Sequence, residues 1–147
     1  MTQLIHSDAH ETHTDNPHTD RCQVQSSYGG TVTADLVVPV YNEEKQLADS
    51  VITLLSVTAD CAANFRIIIA DNASTDMTET IGRRLASDNS RVSYVRIEEK
   101  GRGRALKRVW LSSNADVLMY TDVDLATDSR ILEPMVVAVA SGHADLA

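Results

Sequence analysis

The segment DLVVPVYNEEKQLADSVITLLSVTADCAANFRIIIADNASTD, residues 35–76, carries the pattern of one complete strand–helix–strand unit. Its opening, Asp35 to Val40, is a short apolar run of the kind buried on both faces of a parallel sheet. After Tyr41 the period changes. Leu47, Val51, Leu54 and Leu55 recur at i, i+4, i+7 and i+8, which predicts a helix opening at Asn42 or Glu43. Phe65 to Ala70 is then a second, β-branched run bounded by polar residues.

The same alternation continues downstream. Asp71-Asn72-Ala73-Ser74 leads into a helix in which Met77, Ile81 and Leu85 repeat every four residues, and Val92 to Ile97 reads as a third strand. A basic loop follows, then a helix with Ala105, Leu106, Val109 and Trp110 on one side and a fourth strand, Asp116 to Tyr120. A last helix runs from about Ser129 to Ala140, with Pro134 confined to its first turn. Strands and helices alternating at this spacing predict an α/β domain, a mostly parallel sheet with helices on both faces.

Residues 1–34 differ in kind. They are rich in His, Thr, Asp and Ser and lack periodic apolar positions, so residues 1–34 read as a disordered tail whose deletion leaves the thermal midpoint nearly unchanged. His6, His10, His13 and His18 lie there, and Pro17 with the Thr/Asp content argues against a helix that would gather them on a metal. At the other end Gly142 closes the last helix, and Leu146-Ala147 reads as the opening of a further strand. On that reading residues 35–147 form a domain incomplete at its C-terminus, with an exposed sheet edge and no efficient catalysis of its own.

The 147 residues suit one domain, and 21 acidic against 13 basic side chains give a net charge of −8. No basic stripe for nucleic acid is expected. Cys22 and Cys61 have neither metal-ligand spacing nor a disulfide framework, and Cys61 reads as a small buried or half-buried residue. No apolar stretch approaches a signal sequence or the ~18 residues of a membrane span, so the cytoplasm is the expected location.

Ligands of open parallel sheets bind outside the carboxyl ends of the strands, and that edge is chemically crowded here. The first strand ends in Pro39-Val40-Tyr41-Asn42-Glu43-Glu44, where Tyr41 could stack on a base or ribose and Glu43 accept its hydrogen bonds. The same residues also suit a turn and an acidic first helical turn. Asp71, ending the second strand, could accept a base N–H and so select uracil or guanine. Ser74 or Thr75, with Asp76 and Glu79, suits a helix cap. Lys100 to Arg108 holds five of the 13 basic residues around Gly101 and Gly103. Glycines permit close approach, a helix N-terminus offers N–H groups and Arg102 suits a phosphate, whereas Lys107 reads as surface. Asp122 and Asp124, a D-x-D after the fourth strand, could share a hard cation such as Mg²⁺ with phosphate oxygens.

With PVYNEE, ADNASTD, GRGRAL and YTDVDLAT in this order, the chain from residue 35 to 147 resembles family 2 of the inverting glycosyltransferases, which have the Rossmann-like GT-A fold. Within it the chain looks most like polyprenyl-phosphate glycosyltransferases of the dolichyl-phosphate mannose or glucose synthase type. The resemblance implies a nucleoside diphosphate-sugar donor, a divalent Mg or Mn ion and a polyprenyl phosphate acceptor met at the inner membrane face. It places Pro39, Tyr41, Glu43 and Asp71 around the nucleoside and Arg102 and Asp122 at the diphosphate-sugar. Asp122 and Asp124 become the D-x-D metal pair, with Asp124 the favoured ligand of the two. Two positions depart from the pattern. Ala126 stands where mannose synthases often have a Gln, and Asn72-Ala73 stands where an Asp and a Gly are usual. No catalytic base is identified.

Rival readings fit less well. A haloacid-dehalogenase-type phosphatase requires Thr or Val at the position of Ala126, and a sugar nucleotidylyltransferase requires a Gly-rich, Arg-bearing loop directly after its first strand. A donor-binding fragment without turnover is the non-enzymatic alternative.

Overall fold

The computed structural model describes residues 31–98, 101–126 and 128–143. Along the chain come β1 (Thr33–Val40), α1 (Leu47–Val57), β2 (Asn64–Asp71), α2 (Thr78–Asp88), β3 (Val92–Arg96), α3 (Arg102–Leu111), β4 (Val117–Tyr120) and α4 (Leu132–Ala140), the last entered through a 3-10 turn at Ser129–Ile131. All pairings are parallel, in the order β3-β2-β1-β4. The chain steps one way along the sheet to β3, then returns to the far side of β1. Right-handed crossovers therefore place α1 and α2 on one face and α3 on the other.

Two apolar clusters follow from this. Leu36, Val38 and Val40 of β1 join Leu47, Val51 and Leu54 of α1, Ile67 and Ile69 of β2, and Val136 of α4. Val37, Ile68 and Ala70 point the opposite way, onto Ala105 and Val109 of α3. The period of two along β1 is thus split between two cores, which explains why its sequence is continuously apolar. The predicted α/β sheet covered on both faces is the observed architecture.

Several local expectations are corrected. Residues 31–34, assigned to the tail, belong to the domain. Val32 is fully buried, its carbonyl accepts the Asn64 N–H at 2.8 Å, and Thr33 and Ala34 lie within β1. The remaining tail, with its histidines and Cys22, and residues 144–147 lie outside the described residues. α1 begins at Leu47 rather than at Asn42 or Glu43, because Asn42 adopts φ 55°, a left-handed conformation no α-helix contains. Met77 is 54% exposed and stands off the α2 stripe; the buried positions of that helix are Thr78 and Gly82. Cys61 is half-buried and free, its burial and the nearby Glu133 carboxylate raising the thiol pKa.

Gly82 is needed where it stands. A Cβ there would meet Tyr94 Cδ2 at 2.5 Å, and the ring cannot swing aside because its hydroxyl donates to Asp71 at 2.6 Å. Gly82→Ala should gain ~1 kcal/mol of helix propensity but lose more through overpacking of ~1–3 kcal/mol. A lower thermal midpoint, read by calorimetry, is the expected result. Deletion of residues 1–34 should also lower the midpoint, by several degrees rather than negligibly. It removes buried Val32 and the Thr33 N–H and hydroxyl bonds to Asp116 at 2.9 and 2.8 Å. A matched deletion that spares residues 31–34 separates the two effects.

Candidate functional site

The reversal of strand order beside β1 leaves a crevice between the loops after β1 and β4. A cleft of about 550 Å³ fills it. Pro39, Tyr41 and Glu43 reach it from the end of β1, Arg102 from the start of α3, and Asp122 and Asp124 from the loop after β4. The structure thus brings together all but one of the residues singled out from sequence. Gln46, Asn72, Gly101 and Val123 also line the wall.

Asp71 is the exception. It is fully buried, and its oxygens are occupied by the chain itself. Oδ1 accepts the Ser74 N–H at 2.8 Å, and Oδ2 accepts the Tyr94 hydroxyl at 2.6 Å and Arg96 Nη1 at 3.3 Å. Burial, reinforced by the bond to Asp71, pushes the Tyr94 phenol well above its ordinary range, so it remains a donor at physiological pH. Arg96 also binds Glu79 at 2.8 Å and the Ser74 carbonyl at 3.3 Å. Asp71 is therefore the hub that shapes the β2 loop and does not line the cleft.

Its neighbour does. Asn72 is 6% exposed, its Nδ2 donates to the Val40 carbonyl at 3.3 Å, and its Oδ1 is buried with no partner. The bond to Val40 fixes which way round the amide lies. A buried acceptor left unpaired costs about 1–3 kcal/mol, a penalty that a ligand N–H or O–H would remove. Reading the sequence missed this role, although Asn72 was visible as a departure from the usual pattern.

The two loops beside it hold each other. The Asn42 N–H donates to Ser74 Oγ at 2.9 Å, while Asn42 Oδ1 accepts the Thr75 N–H at 2.8 Å. Glu43 N donates to Thr78 Oγ1 at 2.8 Å, Glu44 N to Asp76 Oδ2 at 3.2 Å, and Met77 N to Glu44 Oε2 at 3.0 Å. Ser74 and Thr75 consequently do not cap α2. Asp76 Oδ1, accepting the Thr78 N–H at 2.9 Å, does part of that work, and its bonds keep the carboxyl pKa low despite the opposing effect of desolvation.

Across the cleft, Gly101 at φ +142° turns the chain so that Arg102 opens α3. A Cβ on Gly103 would meet no protein atom within 4 Å, so packing does not demand that glycine. Arg102 Nη2 lies 2.6 Å from Asp122 Oδ1, its guanidinium 5.2 Å from the Tyr120 ring centre. Between the two aspartates Val123 is buried and its carbonyl accepts the Ser50 hydroxyl, which leaves Asp122 and Asp124 exposed on either side. Among the described residues no cluster of three or more His, Cys, Asp or Glu side chains forms a cage for a metal. Two exposed carboxylates beside an arginine suit a Mg²⁺- or Mn²⁺-type ion that completes its shell with water and an anionic ligand.

Comparison with known proteins shows the family. The family model described as glycosyl transferase family 2 matches residues 35–147. The chain is 36% identical over 119 residues to glycosyltransferase AglD of Haloferax volcanii, covering 79% of this chain and 19% of that protein. It is 30% identical over 106 residues to dolichyl-phosphate beta-glucosyltransferase of Mus musculus, covering 66% and 32%. Glucosyl-3-phosphoglycerate synthase from Mycobacterium tuberculosis, solved with Mn²⁺, UDP and glucosyl-3-phosphoglycerate, matches with a TM-score of 0.57 at 27% identity, over 75% of this chain and 40% of that one. The chain spans less than half the length of each.

The neighbouring residues Asp71 and Asn72 should separate cleanly in stability. Asp71→Ala strands the half-buried Tyr94 hydroxyl and the Ser74 N–H, while Arg96 keeps its ion pair with Glu79, at a cost of about 1–3 kcal/mol. Asn72→Ala removes one long hydrogen bond together with an unpaired acceptor, and should cost less than about 1 kcal/mol. Urea denaturation of both variants measures the difference.

Proposed function

Because this chain belongs to glycosyl transferase family 2 and has the GT-A fold, we propose that its cleft binds a nucleoside diphosphate-sugar with a divalent cation and donates the sugar to a polyprenyl phosphate. The observation that carries the proposal is the convergence of Arg102, Asp122 and Asp124 on one cleft at the switch point of the sheet, with Asn72 in its wall. Tyr41 and Pro39 would flank the nucleoside, Glu43 would accept from it, and Asn72 Oδ1 would take the base N–H otherwise expected at Asp71. Uracil and guanine offer a ring N–H; adenine does not. Arg102, at the N-terminus of α3, would bind the diphosphate, and Gly103 would let it come close to the helix.

The chemistry is a problem of leaving-group charge. Asp122 and Asp124 would hold the Mg²⁺ or Mn²⁺ ion, which when bound offsets negative charge on the departing nucleoside diphosphate. Arg102 and the α3 N–H groups add fixed positive potential where that charge develops. A polyprenyl phosphate is already ionised near neutral pH and attacks without a strong base. A single displacement of this kind inverts the sugar carbon. The dolichyl-phosphate relative supports the acceptor class. Among the described residues no helix is long and apolar enough to cross a membrane, and the proposed site of action is peripheral, at the cytoplasmic face.

Titration calorimetry with UDP and GDP, in Mn²⁺ and in EDTA, tests the site. One of the two should bind in Mn²⁺ and only weakly in EDTA. Asp124→Ala should abolish the metal dependence, and equal binding by that variant excludes Asp124 as a ligand. Asn72→Ala should lower nucleotide affinity about tenfold with the metal dependence intact, the value of a lost hydrogen bond to a buried acceptor.

A further inference from the structure

The ion pair between Arg102 and Asp122 sets the two halves of the cleft's chemistry against each other. Arg102 is the first residue of α3, whose first turn contains no acidic side chain and whose N-cap, Gly101, offers no side-chain bond. A cation at the positive end of a helix is unfavourable without an anion beside it. Asp122 Oδ1, at 2.6 Å, is that anion. The Tyr120 ring holds the guanidinium on the same side, at 5.2 Å. Asp122 is 54% exposed and Arg102 51%, so either side chain can change partner without disturbing the core. Asp124 is held differently, with Oδ1 accepting the Ala126 N–H at 3.1 Å.

Resting on the donor-binding reading above, we propose that the Arg102–Asp122 ion pair is a latch exchanged on binding: Asp122 leaves Arg102 for the cation as Arg102 leaves Asp122 for the diphosphate. Each ligand then releases the group that the other needs. Cation and nucleotide binding become mutually dependent through this one contact, in addition to their direct attraction.

The latch predicts that Asp122→Asn, although it loses a metal ligand, tightens metal-free binding. UDP and GDP titrated in EDTA should bind this variant about two- to fivefold more tightly than the wild-type chain, the range expected for a half-exposed ion pair. Asp124→Asn removes the same charge two residues away without releasing Arg102, and should change metal-free affinity less. The decisive readout is the double-mutant cycle. In an Arg102→Met background Asp122→Asn should no longer tighten binding. Arg102→Met alone should bind Mn²⁺ more tightly than the wild-type chain in the absence of nucleotide, as followed by the spin resonance of the free ion. Equal effects of Asp122→Asn and Asp124→Asn, or additivity in the cycle, overturn the latch while leaving the donor site standing. Failure of the wild-type chain to bind either nucleotide in Mn²⁺ overturns both.

Discussion

β1 is hydrogen-bonded along both edges, and its register leaves it no freedom. Val40 lies opposite Asp71, Asp71 opposite Arg96, and Val37 opposite Tyr120. A slip of one residue would exchange the row facing α1 with the row facing α3, burying each against the wrong layer. Because the register is fixed, β1, β2 and β3 end at one level, β4 ends opposite Val37 below it, and their loops leave on the same side. The cleft is a consequence of that alignment and of the reversal in strand order beside β1.

Alignment alone would leave loops with no fixed relation to one another. The polar residues at the strand ends convert them into a wall. Asp71, fully buried, ties β2 to Tyr94 and Arg96 of β3, and the bonds from Asn42, Glu43 and Glu44 to the segment between Ser74 and Thr78 tie the β1 loop to the β2 loop. These bonds turn most of the polar capacity of the segment inward. What they leave over is informative: Asn72 lines the cleft, and its Oδ1 has no partner. A carboxylate and an amide at adjacent positions differ in this, one organising the loop and the other keeping an unpaired oxygen.

The electrostatics of the cleft run against the character of the chain. A protein with a net charge of −8 places an arginine and a helix N-terminus against two aspartates on a short loop. Opposite charges gathered on one cleft suit a ligand that carries both signs. Burial of Val123 between the aspartates anchors the loop backbone and presents its two neighbours outward.

Much of this was legible in the residues alone. The continuous apolar runs of β1 and β2, the 3.6-residue spacing in α1 and α3, and the confinement of Pro134 to a helix start follow from the period of the backbone and are local properties. The position of Pro39, Tyr41, Glu43, Arg102, Asp122 and Asp124 at strand ends followed with them, because parallel strands share one functional edge. Apart from the starts of α1, which the left-handed backbone of Asn42 delays, and of α2, the errors concerned contacts between residues distant in sequence. Met77 matched the α2 period yet is exposed, since it precedes the helix as its N-cap residue, while Ile81 and Leu85 of the same stripe pack on the core. Ser74 matched a helix cap yet accepts from Asn42, and Val32 resembled a tail yet lies in the core. Sequence by itself determined the alternation of elements and the chemistry available at their ends, because both depend on residue type and spacing. Only the tertiary structure decided that Asp71 is consumed by β3 and that Asn72 is not, because a side chain's freedom to bind depends on which partners from other strands already hold it.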